Sequence, residues 1–362
     1  MTHYLYPSGF IFPIPPAKGV TSFKVIIQEN ISLKPFNTFG IEAKGRYFVE
    51  IHTLGALQEL LVSPAYGAME KLVLGGGSNL LFTRDFDGLV IKINLPGIEK
   101  VREDEDHVWV QAGAGVNWHD LVTFCIRHNY AGIENLSLIW GTVGAAPMQN
   151  IGAYGVEIKD VFEELEAVDI QNGSLRTFRH ADCHFGYRES VFKHELKGRY
   201  IIARVTLRLN KKPTFHTSYG AIQDTLREMN VTDLSIQAIS EAVCRIRTSK
   251  LPDPHQIGNA GSFFKNPEIS PAEFERIKAE YPTLPSYPVA GGQVKIPAGW
   301  LIEQAGWKGK RVGNTGVHAQ QALVLVNHGE ATGDEIRRLS EQVQASVADQ
   351  FGIRLQAEVN LV

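Results

Sequence analysis

The sequence has no excess of either charge: 36 Lys and Arg stand against 39 Asp and Glu, for a formal net charge of −3. Bulk nucleic-acid binding needs a basic surface that displaces counterions, so it is excluded and only a local basic pocket stays open. Cysteine is scarce. Cys125, Cys183 and Cys244 stand far apart with no C-x-x-C pair, which argues against a disulfide framework and for a reducing compartment, with all three as small apolar fillers. No uninterrupted apolar run is long enough to span a bilayer, because the uncharged stretch between Glu134 and Glu157 is broken by polar residues and Pro147. The N-terminus lacks a cationic lead, and Pro7, Pro13, Pro15 and Pro16 would break a helix there, so neither signal peptide nor anchor is expected and the compartment is read as cytoplasmic. G-x-G-x-x-G, H-E-x-x-H and G-x-S-x-G are all missing, which removes the dinucleotide fingerprint, the zinc-protease helix and the hydrolase elbow. No internal repeat is present.

What is there describes a globular chain. Its 362 residues, 44% hydrophobic and 21% charged with 34 glycines, predict about two or three domains rich in turns. Residues 1–30 are Pro-rich and aromatic without a period and read as an irregular arm. Beyond them, Asn37–Gly40 is a turn, Tyr47–Ile51 a strand, and Thr53 the cap of a helix with Leu54, Leu57 and Leu61 on one face. Leu72–Leu74 reads as a buried strand entering Gly75, Gly76, Gly77, Ser78 and Asn79, where a phosphate-binding turn stays open. Val108–Gln111 is a further strand, followed by a helix capped by Asn117. From Val161 a hairpin turning at Asn172-Gly173 and a strand over Arg199–Leu209 give an α+β character. L-P-D-P after Lys250 breaks the chain. Ser270 with Glu273, and Thr332 with Glu335, form capping boxes, and Gly352 closes the second helix. Ile353–Val362 alternates as a final strand.

The candidate chemistry starts at Ile139–Gly155. Glycines at Gly141, Gly144, Gly152 and Gly155 with small neighbours suggest backbone presented to a ligand, plausibly anionic; the alternative is a packed loop of small residues. H-A-D-C-H at His180–His184 has two histidines but no confirming third ligand, so no metal is assigned. Arg188 sits in F-G-Y-R-E-S-V-F-K-H as either a carboxylate fork or a stem over Tyr187. In G-N-A-G-S-F-F-K-N-P, Ser262 precedes two aromatics in a setting expected to be tight and partly dry.

Taken together, N-T-F-G, G-G-G-S-N-L-L, G-T-V-G-A-A-P-M-Q-N-I-G-A-Y-G, F-G-Y-R-E-S-V-F-K, L-P-D-P, G-N-A-G-S-F-F-K-N-P, A-G-W-L-I-E and H-A-Q-Q-A-L-V-L-V-N resemble the UDP-N-acetylenolpyruvoylglucosamine reductase family, in its tyrosine-loop, type I, form. The resemblance runs from about Ile31 to Val362. Trp140 departs from it where the family has proline, and the first thirty residues have no counterpart, being an arm or lying upstream of the true start. It implies an α+β chain with a vanillyl-alcohol-oxidase/PCMH-type FAD fold of two α/β subdomains, 31–100 and 101–250. A C-terminal α+β substrate domain, 251–352, and a strand, 353–362, returning to the FAD region complete it.

The resemblance also implies non-covalent FAD, NADPH as reductant, a UDP-sugar substrate and a role in peptidoglycan precursor synthesis, with no nucleic acid, no membrane insertion and a monomeric state. Gly75, Gly76, Gly77, Ser78 and Asn79 would hold FAD with Gly141, Thr142, Val143, Gly144, Ile151, Gly152, Ala153, Tyr154 and Gly155. Hydride would pass from flavin N5 to the vinyl carbon of the enolpyruvyl ether. Arg188 and Glu358 match the charge-stabilising residues and Ser262 the proton donor; Tyr219, Lys250, Asn266 and Gln321 match substrate contacts, with the Tyr219 loop closing over UDP. Two ionised carboxylates side by side repel, so Glu358 is expected to be protonated in the complex.

Overall fold

The strand expected at Tyr47–Ile51 lies inside a four-stranded sheet. In the computed structural model, which describes residues 25–362, β1 (Ile27–Ser32), β2 (Lys44–Ile51), β3 (Lys71–Leu74) and β4 (Phe86–Ile93) run in the order β1-β2-β4-β3, with β2 and β3 each parallel to β4. β4 is an unbroken run of buried Leu89, Val90 and Ile91, as a strand covered on both faces requires. Helix α1 (Leu54–Val62) covers the sheet with Leu57, Leu60 and Leu61, and Thr53 Oγ1 accepts the Ala56 N–H at 3.2 Å. β3 corrects an expectation. Of Leu72–Leu74 only Leu74 is buried and Val73 is 38% exposed, because β3 is the sheet edge. β1 likewise takes the last residues of the stretch read as an arm, with Ile27 its one buried residue; residues 1–24 of that arm lie outside the described residues.

A five-stranded sheet follows. β5 (Ile98–Glu103), β6 (His107–Gly113), β7 (Phe162–Asp169), β8 (Leu175–Arg179) and β9 (Tyr200–Asn210) run β8-β7-β9-β6-β5, antiparallel at every pair. The β7–β8 turn holds Gly173 at φ +71, a conformation that favours glycine. Helix α2 (Trp118–Arg127) starts where Asn117 Oδ1 accepts the His119 N–H at 2.8 Å, and it buries Leu121, Val122 and Cys125 in one core with Val110, Val205 and Leu207. Burial pushes the Cys125 thiol up and out of reactive range. Helices α3 (Ile222–Glu228) and α4 (Ile236–Lys250) close a smaller core through Ile222, Ile239, Val243 and Ile246.

The chain divides into two compact units: residues 25–31, Gly45–Gly76 and Phe86–Arg247 make the first, and Ser32–Lys44, Gly77–Asp85 and Thr248–Val362 the second. The second holds β10 (Gly258–Ser262), β11 (Arg311–Val312), β12 (Thr315–Val317) and β13 (Val324–Asn327) in the order β10-β13-β12-β11, with helices α5 (Pro271–Glu280), α6 (Ala298–Gln304) and α7 (Gly333–Phe351). Both capping boxes form, and Gly352 ends α7 at φ +72. The N-T-F-G turn joins this unit because Asn259 N–H donates to Thr38 O at 3.0 Å and Asn327 Nδ2 to Phe39 O at 2.9 Å. The C-terminal segment is a second correction. Only Asn360–Leu361 forms a strand, parallel to Leu80–Leu81, and Ala357 and Leu361 are exposed, since the segment docks by isolated backbone bonds instead of a continuous ladder.

Candidate active site

In the first unit, glycines let two chain segments touch. A Cβ on Gly76 would lie 2.8 Å from Gly141 Cα, and one on Gly75 would lie 2.6 Å from Thr142 Oγ1. Any side chain would therefore push the strand-end turn off the Gly141 segment. Lys92 on β4 fixes the turn from behind: its Nζ donates to Gly75 O at 2.5 Å, and burial lowers its pKa. Not every backbone amide faces outward. Val143 and Gly144 donate to Val116 O and Ala114 O at 2.9 and 3.0 Å, so these two hold the turn in place. Thr142 Oγ1, by contrast, is enclosed and has no hydrogen-bond partner, an unmet polar group of the kind that a bound ligand satisfies.

Arg188 meets the far end of that segment. It takes φ +56, sends Nη2 to Gly152 O at 2.5 Å and Nη1 to Asn150 O at 3.4 Å, and lies 3.9 Å from the Glu157 carboxylate. Its guanidinium also sits 5.3 Å from the Tyr187 ring centre, as in the stacked-stem reading, and the groups it forks here are two backbone carbonyls. Ile151 is buried and donates to Ala146 O, while Gly152 and Ala153 pair with Val156–Glu157. Tyr154 and Gly155 both have positive φ. Tyr219, 46% exposed, has its Cβ 3.4 Å from where a Gly155 Cβ would be, and a Cβ on Gly220 would meet the Tyr154 ring at 3.8 Å. The Tyr219 loop thus packs on Tyr154–Gly155. Asn135 ties the two: its Nδ2 donates to Tyr154 O at 3.1 Å and to His216 O at 2.8 Å.

The second unit joins the remaining candidates. Ser262 ends β10 and is exposed, followed by fully buried Phe263 and Phe264. Glu358 N–H donates to Phe263 O at 2.8 Å, so Ser262 and Glu358 lie on adjoining extended segments. Asn79 Nδ2 donates to Glu358 O at 3.3 Å, which brings the end of the G-G-G-S-N turn to the same place. Gly77 is held at φ +65, where a Cβ would lie 2.0 Å from Phe36 O, and its own carbonyl accepts the Thr38 N–H at 3.0 Å; Ser78 lies between Gly77 and Asn79. Asn266 and Gln321 converge on the start of α6: Asn266 Oδ1 accepts the Ala298 N–H at 2.9 Å, and Gln321 Oε1 lies 3.0 Å from a Gly299 Cβ position. Lys250 is exposed at the last position of α4.

Three residues escaped the sequence reading. Lys92 and Asn135 carry no local motif and act only through distant carbonyls. Arg247 did leave a signal, a charge on the apolar stripe Ile239, Val243, Ile246 of α4.

Glycine-shaped contacts, an enclosed unpaired hydroxyl and a braced arginine, on a parallel and an antiparallel sheet, belong to a flavin-binding oxidoreductase, as the family models show. Residues 46–179 match the family model described as FAD binding domain, and residues 253–362 that of the UDP-N-acetylenolpyruvoylglucosamine reductase C-terminal domain. The chain belongs to the UDP-N-acetylenolpyruvoylglucosamine reductase family. It is 55% identical to the reductase of that name from Amoebophilus asiaticus over 93% of this chain and 99% of the relative. The corresponding figures for the Pseudomonas putida reductase are 51%, 92% and 98%. The fold is similar to the crystal structure of the Thermus caldophilus reductase, with a TM-score of 0.63 at 24% identity over 93% of this chain and 99% of that one.

Proposed function

We propose that the chain performs the reaction its family is named for, the NADPH-driven, FAD-dependent reduction of UDP-N-acetyl-3-O-(1-carboxyvinyl)-glucosamine to UDP-N-acetylmuramate in peptidoglycan precursor synthesis. The observation that carries the assignment of roles is the Phe263 carbonyl, which accepts the Glu358 N–H and brings Ser262 and Glu358 together from distant parts of the chain. The residues fit FAD. The glycines Gly75, Gly76 and Gly141 let two turns touch so that their surface is main chain, and Thr142 Oγ1 is a polar atom awaiting a partner.

In this reading Gly75–Asn79 and the Gly141–Gly155 segment hold FAD, which when bound supplies two electrons from NADPH to the vinyl carbon. Arg188, braced by Gly152 O and Asn150 O, holds the negative charge that develops on the carboxylate-bearing carbon; losing such a preorganised donor typically costs about 3 to 4 kcal/mol. Ser262 Oγ gives that carbon its proton, and Glu358, protonated beside the substrate carboxylate, supports the charge. Residues 31–100 and 101–250 would serve FAD, 251–352 the substrate, and 353–362 would return Glu358 to the flavin. Tyr219, Lys250, Asn266 and Gln321 would bind the UDP-sugar, with the Tyr219 loop excluding water. The protein would act as a cytoplasmic monomer.

The test is the visible spectrum of the FAD-loaded protein, bleached with NADPH without oxygen and then mixed with the enolpyruvyl substrate. Return of the oxidised bands together with UDP-N-acetylmuramate is expected. Recovery only on admitting oxygen would point to an oxidase instead.

A further inference from the structure

Arg247 is a cation that the roles above leave unassigned. It lies in the last turn of α4, and its Nε donates to Leu138 O at 3.1 Å. The Tyr154 phenol stands beside its guanidinium and supports its charge. Leu138 lies just ahead of the Gly141–Gly155 segment and Tyr154 inside it, so Arg247 reaches both ends of the stretch read as the flavin-binding surface. The neighbours that support its charge are Tyr154 and Cys244, both neutral groups whose own pKa values burial raises. Arg188 opposes it, and burial pushes the Arg247 guanidinium down. Among the described residues no carboxylate pairs with it. A part-buried cation without a counter-ion is unfavourable unless something bound supplies the missing charge.

Two positive groups therefore meet this stretch, Arg188 at Gly152 and Arg247 at Tyr154, and of the two only Arg188 has an acidic neighbour among the described residues, Glu157. Arg188 already has an anion in the reading above, the substrate carboxylate. Arg247 has none. Reduction by two electrons lets a flavin lose its N1 proton and spread negative charge over N1 and the C2 carbonyl, and a fixed cation favours that form. We propose that Arg247 is the counter-charge for FAD in its reduced, anionic state. The inference rests on the flavin-binding reading of Gly141–Gly155 and adds to it a residue that sets the cofactor's potential.

The experiment compares FAD-loaded native protein with Arg247→Gln and Arg247→Lys, reading the midpoint potential and the absorbance of the reduced flavin across pH. Arg247→Gln is expected to shift the oxidised-to-reduced ratio about tenfold or more toward the oxidised form, about 30 mV for each tenfold in a two-electron couple. It should also move the reduced flavin from anionic to neutral at neutral pH, while Arg247→Lys keeps it anionic. Native potential and native reduced-flavin titration in Arg247→Gln would overturn the proposal, whether or not UDP-sugar affinity falls. Should Arg247→Gln fail to load flavin, Arg247→Lys decides: a neutral reduced flavin in that variant overturns the proposal. Native protein that takes up no FAD would sink the flavin reading itself and is a separate result.

Discussion

Ser262 and Glu134 are both polar residues next to apolar neighbours, and the consequences differ because one is exposed and the other enclosed. Ser262 touches solvent at the end of β10 while Phe263 and Phe264 behind it are buried, so replacing its hydroxyl removes a proton donor without opening the core. Ser262→Ala should reduce its flavin with NADPH at the native rate, yet reoxidise with the enolpyruvyl substrate about 100-fold or more slowly, the usual size of a lost general acid. Stopped-flow measurement of the two half-reactions separates them. Equal damage to both would mean that Ser262 is structural. Glu134 is 2% exposed and accepts the Gly132 N–H at 2.7 Å, and burial raises its carboxyl pKa despite that bond. A carboxyl held high in the folded chain binds its proton more tightly than in the unfolded one. Its contribution is therefore present at low pH and lost as the pH climbs from the unfolded value through the folded one. Glu134→Gln keeps the acceptor and removes the charge, so it should raise the melting temperature more at about pH 8 than at about pH 5. An equal shift at both values would show that the carboxyl titrates in the fold as it does in the unfolded chain.

Elements set by local bonds could be read from the sequence, and those set by distant contacts could not. Thr53, Asn117, Ser270 and Thr332 all cap the helices expected of them, because an N-cap bond joins residues two or three apart. The alternation of Ile353–Val362, in contrast, reports an extended chain with some inward residues and does not say whether a partner strand runs its full length. It runs for Asn360–Leu361 alone. The contact of Gly76 with Gly141 was equally hidden, since nothing in either motif names the other. That contact makes a sharp prediction. Gly76→Ala places a methyl 2.8 Å from Gly141 Cα, which is backbone and cannot rotate away. Overpacking of this kind costs about 1 to 3 kcal/mol. If the two segments part, FAD affinity should fall about tenfold for each 1.4 kcal/mol felt at the site. Flavin titration of the apo-protein measures this, and a Gly76→Ala protein with native FAD affinity would show that the two turns do not need to touch.

At the scale of the whole chain, the second unit is assembled from three separated stretches, Ser32–Lys44, Gly77–Asp85 and Thr248–Val362. The last stretch is by far the longest and invites the reading that it folds by itself. Its hydrogen bonds argue otherwise. Asn259 and Asn327 spend theirs on Thr38 and Phe39, and Asn360–Leu361 pairs with Leu80–Leu81. Phe39 meets Phe263 edge-on with ring centres 6.4 Å apart, and Leu33, Phe39, Ile41, Leu81 and Phe82 are all at most 1% exposed. Deleting one large buried side chain costs about 2 to 5 kcal/mol, and a domain's whole stability is about 5 to 15 kcal/mol. Removing five such side chains together, about 10 to 25 kcal/mol on that figure, meets or exceeds that margin. Residues 248–362 expressed alone should show no cooperative thermal transition by circular dichroism, and adding peptides 32–44 and 77–85 should partly restore one. A sharp melt of the isolated fragment would mean that its core is complete without the two early segments, and that they are attachments to the unit instead of part of it.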